Sequence, residues 1–191
     1  MAQFKQILIY AGIALLAVTA GLLLRGQLTS SSPSSISESV SSKGSEAILA
    51  AVLPDLQGTS QRISQWRGQV LVVNFWASWC EPCRKEIPEF IAVQNQFRDQ
   101  GLVFVGIAVD QPQKAAAFSK DIGINYPVLT GGMEAMSLAE AAGNRQGALP
   151  FTVIIDRSGT ILSPPLGLLR RSKLEATIKP LLSRPSSCLH V

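Results

Sequence analysis

An α/β protein with a mixed central sheet covered by helices on both faces is the fold class that the sequence predicts, on three observations. Gln69 to Trp76 (QVLVVNFW) and Leu102 to Val109 (LVFVGIAV) are apolar, β-branched runs of buried-strand length. Between them, Arg84 to Gln100 carries Ile87, Phe90, Ile91, Val93 and Phe97 at nearly the helical period. Strand, helix and strand in this order imply a right-handed crossover to a parallel neighbour. The chain then closes on a hairpin pattern and an amphipathic helix, which brings antiparallel strands to the sheet.

Residues 7–24 (ILIYAGIALLAVTAGLLL) contain no charge and lie between Lys5 and Arg25, a length that reaches the ~17 to 25 residues of a membrane span. Two readings stand: a retained N-terminal transmembrane helix, or a signal segment cleaved after Val18-Thr19-Ala20. Both export the remainder of the chain, and Lys5 with the amino terminus biases the N-terminus toward the cytoplasm. From Thr29 to Ser45 ten serines and little apolar surface make a flexible tether. The expected organisation is thus residues 1–28 as anchor or signal segment, 29–46 as linker, 47–184 as the folded domain and 185–191 as a tail. Within the domain, Ala47 to Leu56 reads as an extended lead-in with Ile63 to Trp66 returning along it. Gly68 punctuates before the first buried strand, and Pro88 predicts a kink in the helix after it. Gly101 stops that helix before the second strand. Gln113 to Asp121 reads as a helix, Tyr126 to Leu129 as a short strand and Glu134 to Ala142 as a small helix ended by Gly143. Phe151 to Asp156 and Thr160 to Ser163 flank a hairpin turn at Arg157-Ser158-Gly159. Arg170 to Leu182 forms the last helix, its final turn weakened by Pro180.

Charge excludes one class of partner. The 17 basic and 13 acidic residues, net charge +4, are scattered without Lys/Arg tracts, so no nucleic acid is implied. Only three cysteines occur, too few for a disulfide-stapled scaffold.

Two of them form Trp79-Cys80-Glu81-Pro82-Cys83. If a helix begins at Cys80, one turn brings Cys83 within the ~4.4 to 6.8 Å Cα separation of a disulfide. A thiolate attacks disulfides, and the positive end of a helix favours it. Pro82 then falls in the first turn, where its missing N–H costs little. Geometry makes Cys80 the exposed nucleophile and Cys83, one turn inside, the resolving thiol. Four alternatives compete. Cys80, Cys83, Cys188 and His190 could supply tetrahedral zinc; the pair could be a structural disulfide, stabilising little across so short a loop; the domain could be a non-catalytic binding module, or could carry a soft ion such as copper. Haem attachment is excluded because Arg84, not histidine, follows Cys83.

The run from Val72 to Pro88, VVNFWASWCEPCRKEIP, resembles the active-site segment of thioredoxin-like proteins, and more narrowly of the membrane-anchored TlpA/ResA-type thiol-disulfide oxidoreductases. The resemblance spans roughly Ala47 to Leu182 and implies a thioredoxin-like fold, a central mixed sheet flanked by helices, behind an N-terminal transmembrane helix. It implies that Pro150 in Leu149-Pro150-Phe151 is a cis-proline facing the disulfide and that Trp79 is the aromatic neighbour of the nucleophile. Thioredoxin has a buried aspartate where Asn74 stands, so another group must titrate. Glu86 matches the glutamate that ResA-like reductases hold near their cysteines, the alternative being an exposed helical glutamate. Cys80, Cys83 and Glu86 are therefore the candidate catalytic residues. Trp79, Glu81, Pro82, Leu149 and Pro150 are the candidate substrate-binding residues. No cofactor beyond the redox-active Cys80–Cys83 pair and no metal are expected. Peroxide reduction is disfavoured, since Ala77 and Val73 replace the threonine and proline of peroxiredoxins. The partners implied are protein disulfides, apocytochrome c among them, and a membrane thiol transporter of the CcdA/DsbD type as electron donor. The domain would work on the outer face of a cytoplasmic membrane.

Overall fold

The computed structural model describes residues 43–163 and 168–183. The expected membrane segment, most of the serine-rich tract and the tail with Cys188 and His190 lie outside the described residues. Among the described residues no helix is long and apolar enough to cross a membrane.

Residues 43–50 form a helix, α1. The lead-in from Ala47 was expected to be extended, but its Ala- and Leu-rich start is a good helix former and drives Ile48 and Leu49 into the core at 0% and 3% exposure. Strands β1 (Val52–Pro54) and β2 (Ser60–Arg62) then make a small antiparallel hairpin, Leu53 opposite Gln61. Asp55 shapes its turn, Oδ1 accepting the amides of Gln57 and Thr59 at 2.9 Å each. The return strand therefore precedes the expected one, and Ile63–Trp66 is a 3-10 helix burying Ile63.

Five strands make the main sheet: β3 (Val70–Trp76), β4 (Leu102–Ala108), β5 (Val128–Thr130), β6 (Phe151–Ile155) and β7 (Ile161–Ser163). Their spatial order is β5-β4-β3-β6-β7, with β3, β4 and β5 parallel, β6 antiparallel to β3 and β7 antiparallel to β6. Every residue of β3 is buried, as befits a strand covered on both faces. Helices α2 (Glu81–Phe97) and α3 (Pro112–Ile122) cross from β3 to β4 and from β4 to β5. Both steps go the same way across the sheet, so right-handed crossovers put both helices on one face. Helix α4 (Gly132–Ala141) carries the chain back over the other face to β6, and α5 (Arg171–Leu182) closes beside α2. Helix α5 is continuous through Pro180, whose exposed position keeps its ring out of the core. Helix α2 likewise runs unbroken through exposed Pro88.

Strand alternation divides the core accordingly. Val70, Val72 and Trp76 of β3 pack with Phe90 of α2, Phe118 of α3 and Leu174 of α5. Leu71, Val73 and Phe75 pack with Ile48 of α1 and Ala139 of α4. The α2-side face is interrupted by one cross-strand row in which Asn74 stands opposite Gly106 on β4 and Thr152 on β6. Gly106 is required there, because a Cβ would lie 2.8 Å from Trp76 Nε1.

β5 reaches only Gly106, so among the described residues the first half of β4 has no strand on that side. The buried side chain of Gln94 on α2 takes the strand's place. Its Oε1 accepts the Phe104 amide at 2.8 Å and its Nε2 donates to the Leu102 carbonyl at 3.4 Å.

Candidate active site

The parallel strands end together, and the sheet's carboxyl edge is where α/β folds assemble sites. β3 stops at Trp76 and α2 starts at Glu81, so Ala77 to Cys80 must turn the chain. Two braces hold this link. Ser78, through its amide and hydroxyl, donates to Asp110 Oδ2 just beyond β4, and Val109 N–H donates to the Trp76 carbonyl at 2.8 Å. Burial alone would raise the Asp110 carboxyl, but Ser78, the Gln111 amide and Lys114 together hold it below the usual carboxylate range. Arg84 adds a third tie, donating to the Ser78 carbonyl at 3.3 Å with its guanidinium 5.0 Å from the Phe118 ring.

Cys80 is the N-cap of α2, in extended backbone, and its Sγ accepts the Cys83 N–H at 3.3 Å. Ser, Thr, Asp or Asn usually fills this role; here the sulfur takes the N3 amide. Pro82, at N2, has no amide to leave unpaired. The cap-to-N3 spacing brings the two Cα atoms to 5.3 Å, and the sulfurs are joined as a disulfide. Cys83 is 0% exposed and Cys80 only 5%. The nucleophile expected to be exposed is thus nearly covered, although it is the more accessible of the two.

Glu86 comes one turn later on the same buried face of α2 and is 1% exposed, which excludes the reading of an exposed helical glutamate. Its Oε1 accepts Asn74 Nδ2 at 2.8 Å and its Oε2 accepts the Leu169 amide at 2.9 Å. Asn74 Nδ2 also donates to Thr152 Oγ1 at 3.0 Å. Burial outweighs these two donors and pushes the carboxyl up from 4.5 to about 7. Glu86 is also among the residues around a cleft of about 340 Å³ bounded by Lys85, Glu89, Leu168 and Arg170. Nearby, Tyr126 packs on Phe104 with ring centroids 5.5 Å apart. Burial, with a smaller contribution from the Glu86 charge, holds its phenol well above the ordinary range.

The Leu149–Pro150 bond is cis. β6 pairs antiparallel with β3, Phe151 opposite Phe75, so buried Pro150 falls at the level of Trp76, where β3 gives way to the cysteine link. Leu149 is half-buried. The fold therefore gathers Cys80, Cys83, Glu86, Leu149 and Pro150 at one end of the sheet. Trp79 stands at its rim, 67% exposed. Glu81 and Pro82 face solvent, and Glu81 pairs with Lys85 at 3.3 Å on the exposed side of α2.

Several partners were not read from the sequence. In the sequence Asn74 stands out as a missing acid, with no sign that it donates to Glu86. Thr152 had a signal, being the one polar residue within the apolar FTVII strand. Leu169 acts through its backbone, which leaves no trace in residue identity. The zinc alternative involves Cys188 and His190, outside the described residues; among the described residues no group of three or more His, Cys, Asp or Glu side chains could hold a metal.

A thioredoxin-like sheet that carries a disulfide at the N-cap of its central helix defines a thiol-disulfide oxidoreductase. Comparison with known proteins gives the family. The AhpC/TSA family model matches residues 45–163, and the chain belongs to that family. Among curated relatives, thiol-disulfide oxidoreductase ResA of Geobacillus kaustophilus is 29% identical over 133 residues, covering 68% of this chain and 74% of the relative. ResA of Bacillus subtilis is 30% identical over 125 residues, covering 64% and 67%. The crystal structure of a thiol:disulfide interchange protein of the thioredoxin family from Chlorobium tepidum aligns with a TM-score of 0.63 at 29% identity, covering 70% of this chain and 93% of that one. Within this family the site offers no hydroxyl three residues before Cys80, where Ala77 is buried and apolar, and Ser78 is bound to Asp110.

Proposed function

We propose that the protein reduces protein disulfides outside the cytoplasm through Cys80 and Cys83. The observation that carries this reading is the Cys80–Cys83 disulfide at the N-cap of α2, with the buried Glu86 carboxyl one helical turn beyond it. In the reduced protein, Cys80 thiolate attacks one sulfur of the substrate disulfide and the other leaves as a thiolate. Cys83, deprotonated in turn, attacks Cys80 Sγ and expels the second substrate thiolate. Two electrons pass to the substrate and the Cys80–Cys83 bond forms. The Cys83 amide and the positive end of α2 favour the Cys80 thiolate. Glu86 accepts and returns protons, a role suited to a carboxyl that titrates near neutrality. Asn74 assists because an amide can donate to the carboxylate or, turned over, accept from the protonated acid, while the Thr152 hydroxyl suits either setting.

Trp79, Glu81, Pro82, Leu149 and Pro150 form the substrate side. Residues 1–28 tether the domain to the membrane, and apocytochrome c, kept reduced for haem attachment, is the substrate that similarity to ResA favours. Restoring the dithiol in an oxidising compartment requires an electron donor, and similarity to ResA points to a membrane thiol transporter of the CcdA/DsbD type. A broader exported-protein reductase or isomerase uses the same chemistry, and a CxxC metal carrier is the alternative of another class. Trapping separates them. Full-chain Cys83→Ser should accumulate a mixed disulfide through Cys80 with its client in the native membrane, and mass spectrometry would identify that client. Absence of any adduct, with stoichiometric copper in the reduced wild type, would sink the reductase reading.

A further inference from the structure

Between α4 and β6 the chain runs Gly143 to Pro150 without strand or α-helix, yet its middle is fixed by one side chain. Asn144 is 1% exposed. Its Nδ2 donates to the Ala148 carbonyl at 2.8 Å and its Oδ1 accepts the Ala148 amide at 3.1 Å. One amide thus satisfies both backbone groups of the same residue, as a neighbouring strand would. Asn144 is itself anchored, its N–H donating to the Ala139 carbonyl of α4 at 2.9 Å and its carbonyl accepting the Gly147 N–H at 3.2 Å. The next residue, Leu149, makes no backbone hydrogen bond among the described residues. The sequence pattern is correspondingly bare: a lone asparagine between glycines.

We infer that Asn144 is a positioning residue for substrate recognition: by clamping Ala148 to α4 it sets the backbone of Leu149 and Pro150 beside the disulfide, ready to pair with the main chain of a client polypeptide. Fixing Ala148 in advance means that a client does not have to order the segment when it binds. The client recognised is a polypeptide in extended form around its disulfide, because such a chain brings N–H and C=O groups to pair with Leu149. A small disulfide without peptide groups gains nothing from the clamp. This inference rests on the substrate role proposed above for Leu149 and Pro150.

The test compares two disulfides in single-turnover reduction by the full chain in detergent: insulin, a polypeptide, and hydroxyethyl disulfide, which has no peptide bond. For Asn144→Ala, loss of two hydrogen bonds should raise the half-saturating insulin concentration about tenfold, with the limiting rate and the hydroxyethyl disulfide rate within about twofold of wild type. Asn144→Asp keeps the acceptor for the Ala148 amide but turns an oxygen toward its carbonyl, so an intermediate insulin effect should appear in a variant that retains one bond. Equal losses for both disulfides, or an unchanged insulin half-saturation in either variant, would overturn the inference. Failure of wild type to reduce hydroxyethyl disulfide would instead overturn the oxidoreductase mechanism beneath it.

Discussion

Glu86 is a carboxyl whose surroundings oppose one another: two N–H donors favour its charge and burial disfavours it, with burial prevailing. The folded protein therefore holds the proton more tightly than the unfolded chain between pH 4.5 and about 7. Stability from this group is full below that window, falls as pH rises through it and is flat above, a loss of about 3 kcal/mol. In Glu86→Gln the decline between pH 5 and 8, followed by urea denaturation of the oxidised protein, should disappear. The same variant should lose an inflection near neutrality in the pH profile of Cys80 alkylation; an unchanged profile would remove Glu86 from proton exchange. Asn74→Asp tests the other side of the pair. It would set a second carboxylate against the first across a 2.8 Å contact, so at pH 8 it should cost about 3 kcal/mol, an effect that shrinks toward pH 5 as the two acids share a proton. The sequence pointed to Glu86 and to the unusual Asn74 separately. That they touch depends on α2 packing over the central row of the sheet, which spacing along the chain does not encode.

At the scale of elements, periodic and apolar segments were legible and short polar ones were not. β3, β4 and α2 lie within a few residues of their expected bounds because burial on both faces, or on one helical stripe, writes itself into the order of residues. Cys80 as the cap of α2 was also legible, since Pro82 and the dithiol spacing agree on where the helix starts. The β1–β2 hairpin and α1 differ from the expected extended lead-in because three-residue strands carry no periodicity and because α1 is specified by what it packs against. Gln94 was invisible as well: a polar residue on a helix reads as solvent-facing, whereas here it is 8% exposed and bonded to two backbone groups of β4. Gln94→Ala strands those groups in the core and should lower stability by about 2 kcal/mol, read as a lower urea midpoint. Gln94→Glu should also destabilise, since a carboxylate can accept from Phe104 but cannot donate to Leu102.

Across the whole molecule, the fold class followed from the order of a few strong elements, and the position of the site followed from the fold, because parallel strands bring the ends of β3 and β4 to one edge and antiparallel β6 returns Pro150 to it. The polar ties between segments distant in the chain stayed hidden: Ser78 with Asp110, Glu86 with Leu169, Asn74 with Thr152. A more local tie, Gln94 on β4, has a meaning for self-association. Strand edges left open template the addition of foreign chains, and β4 would present one where β5 falls short. Gln94 closes it; on the outer side of β5, Asp55 bridges to Leu129; at the far edge β7 is three residues long. On the reductase function proposed above, reactive sulfur and sticky client chain come into close company. With little open edge elsewhere, main-chain pairing of a client is confined to the short stretch at Leu149 beside the disulfide, and the thiol exchange that frees the client ends it, so no growing sheet is left behind.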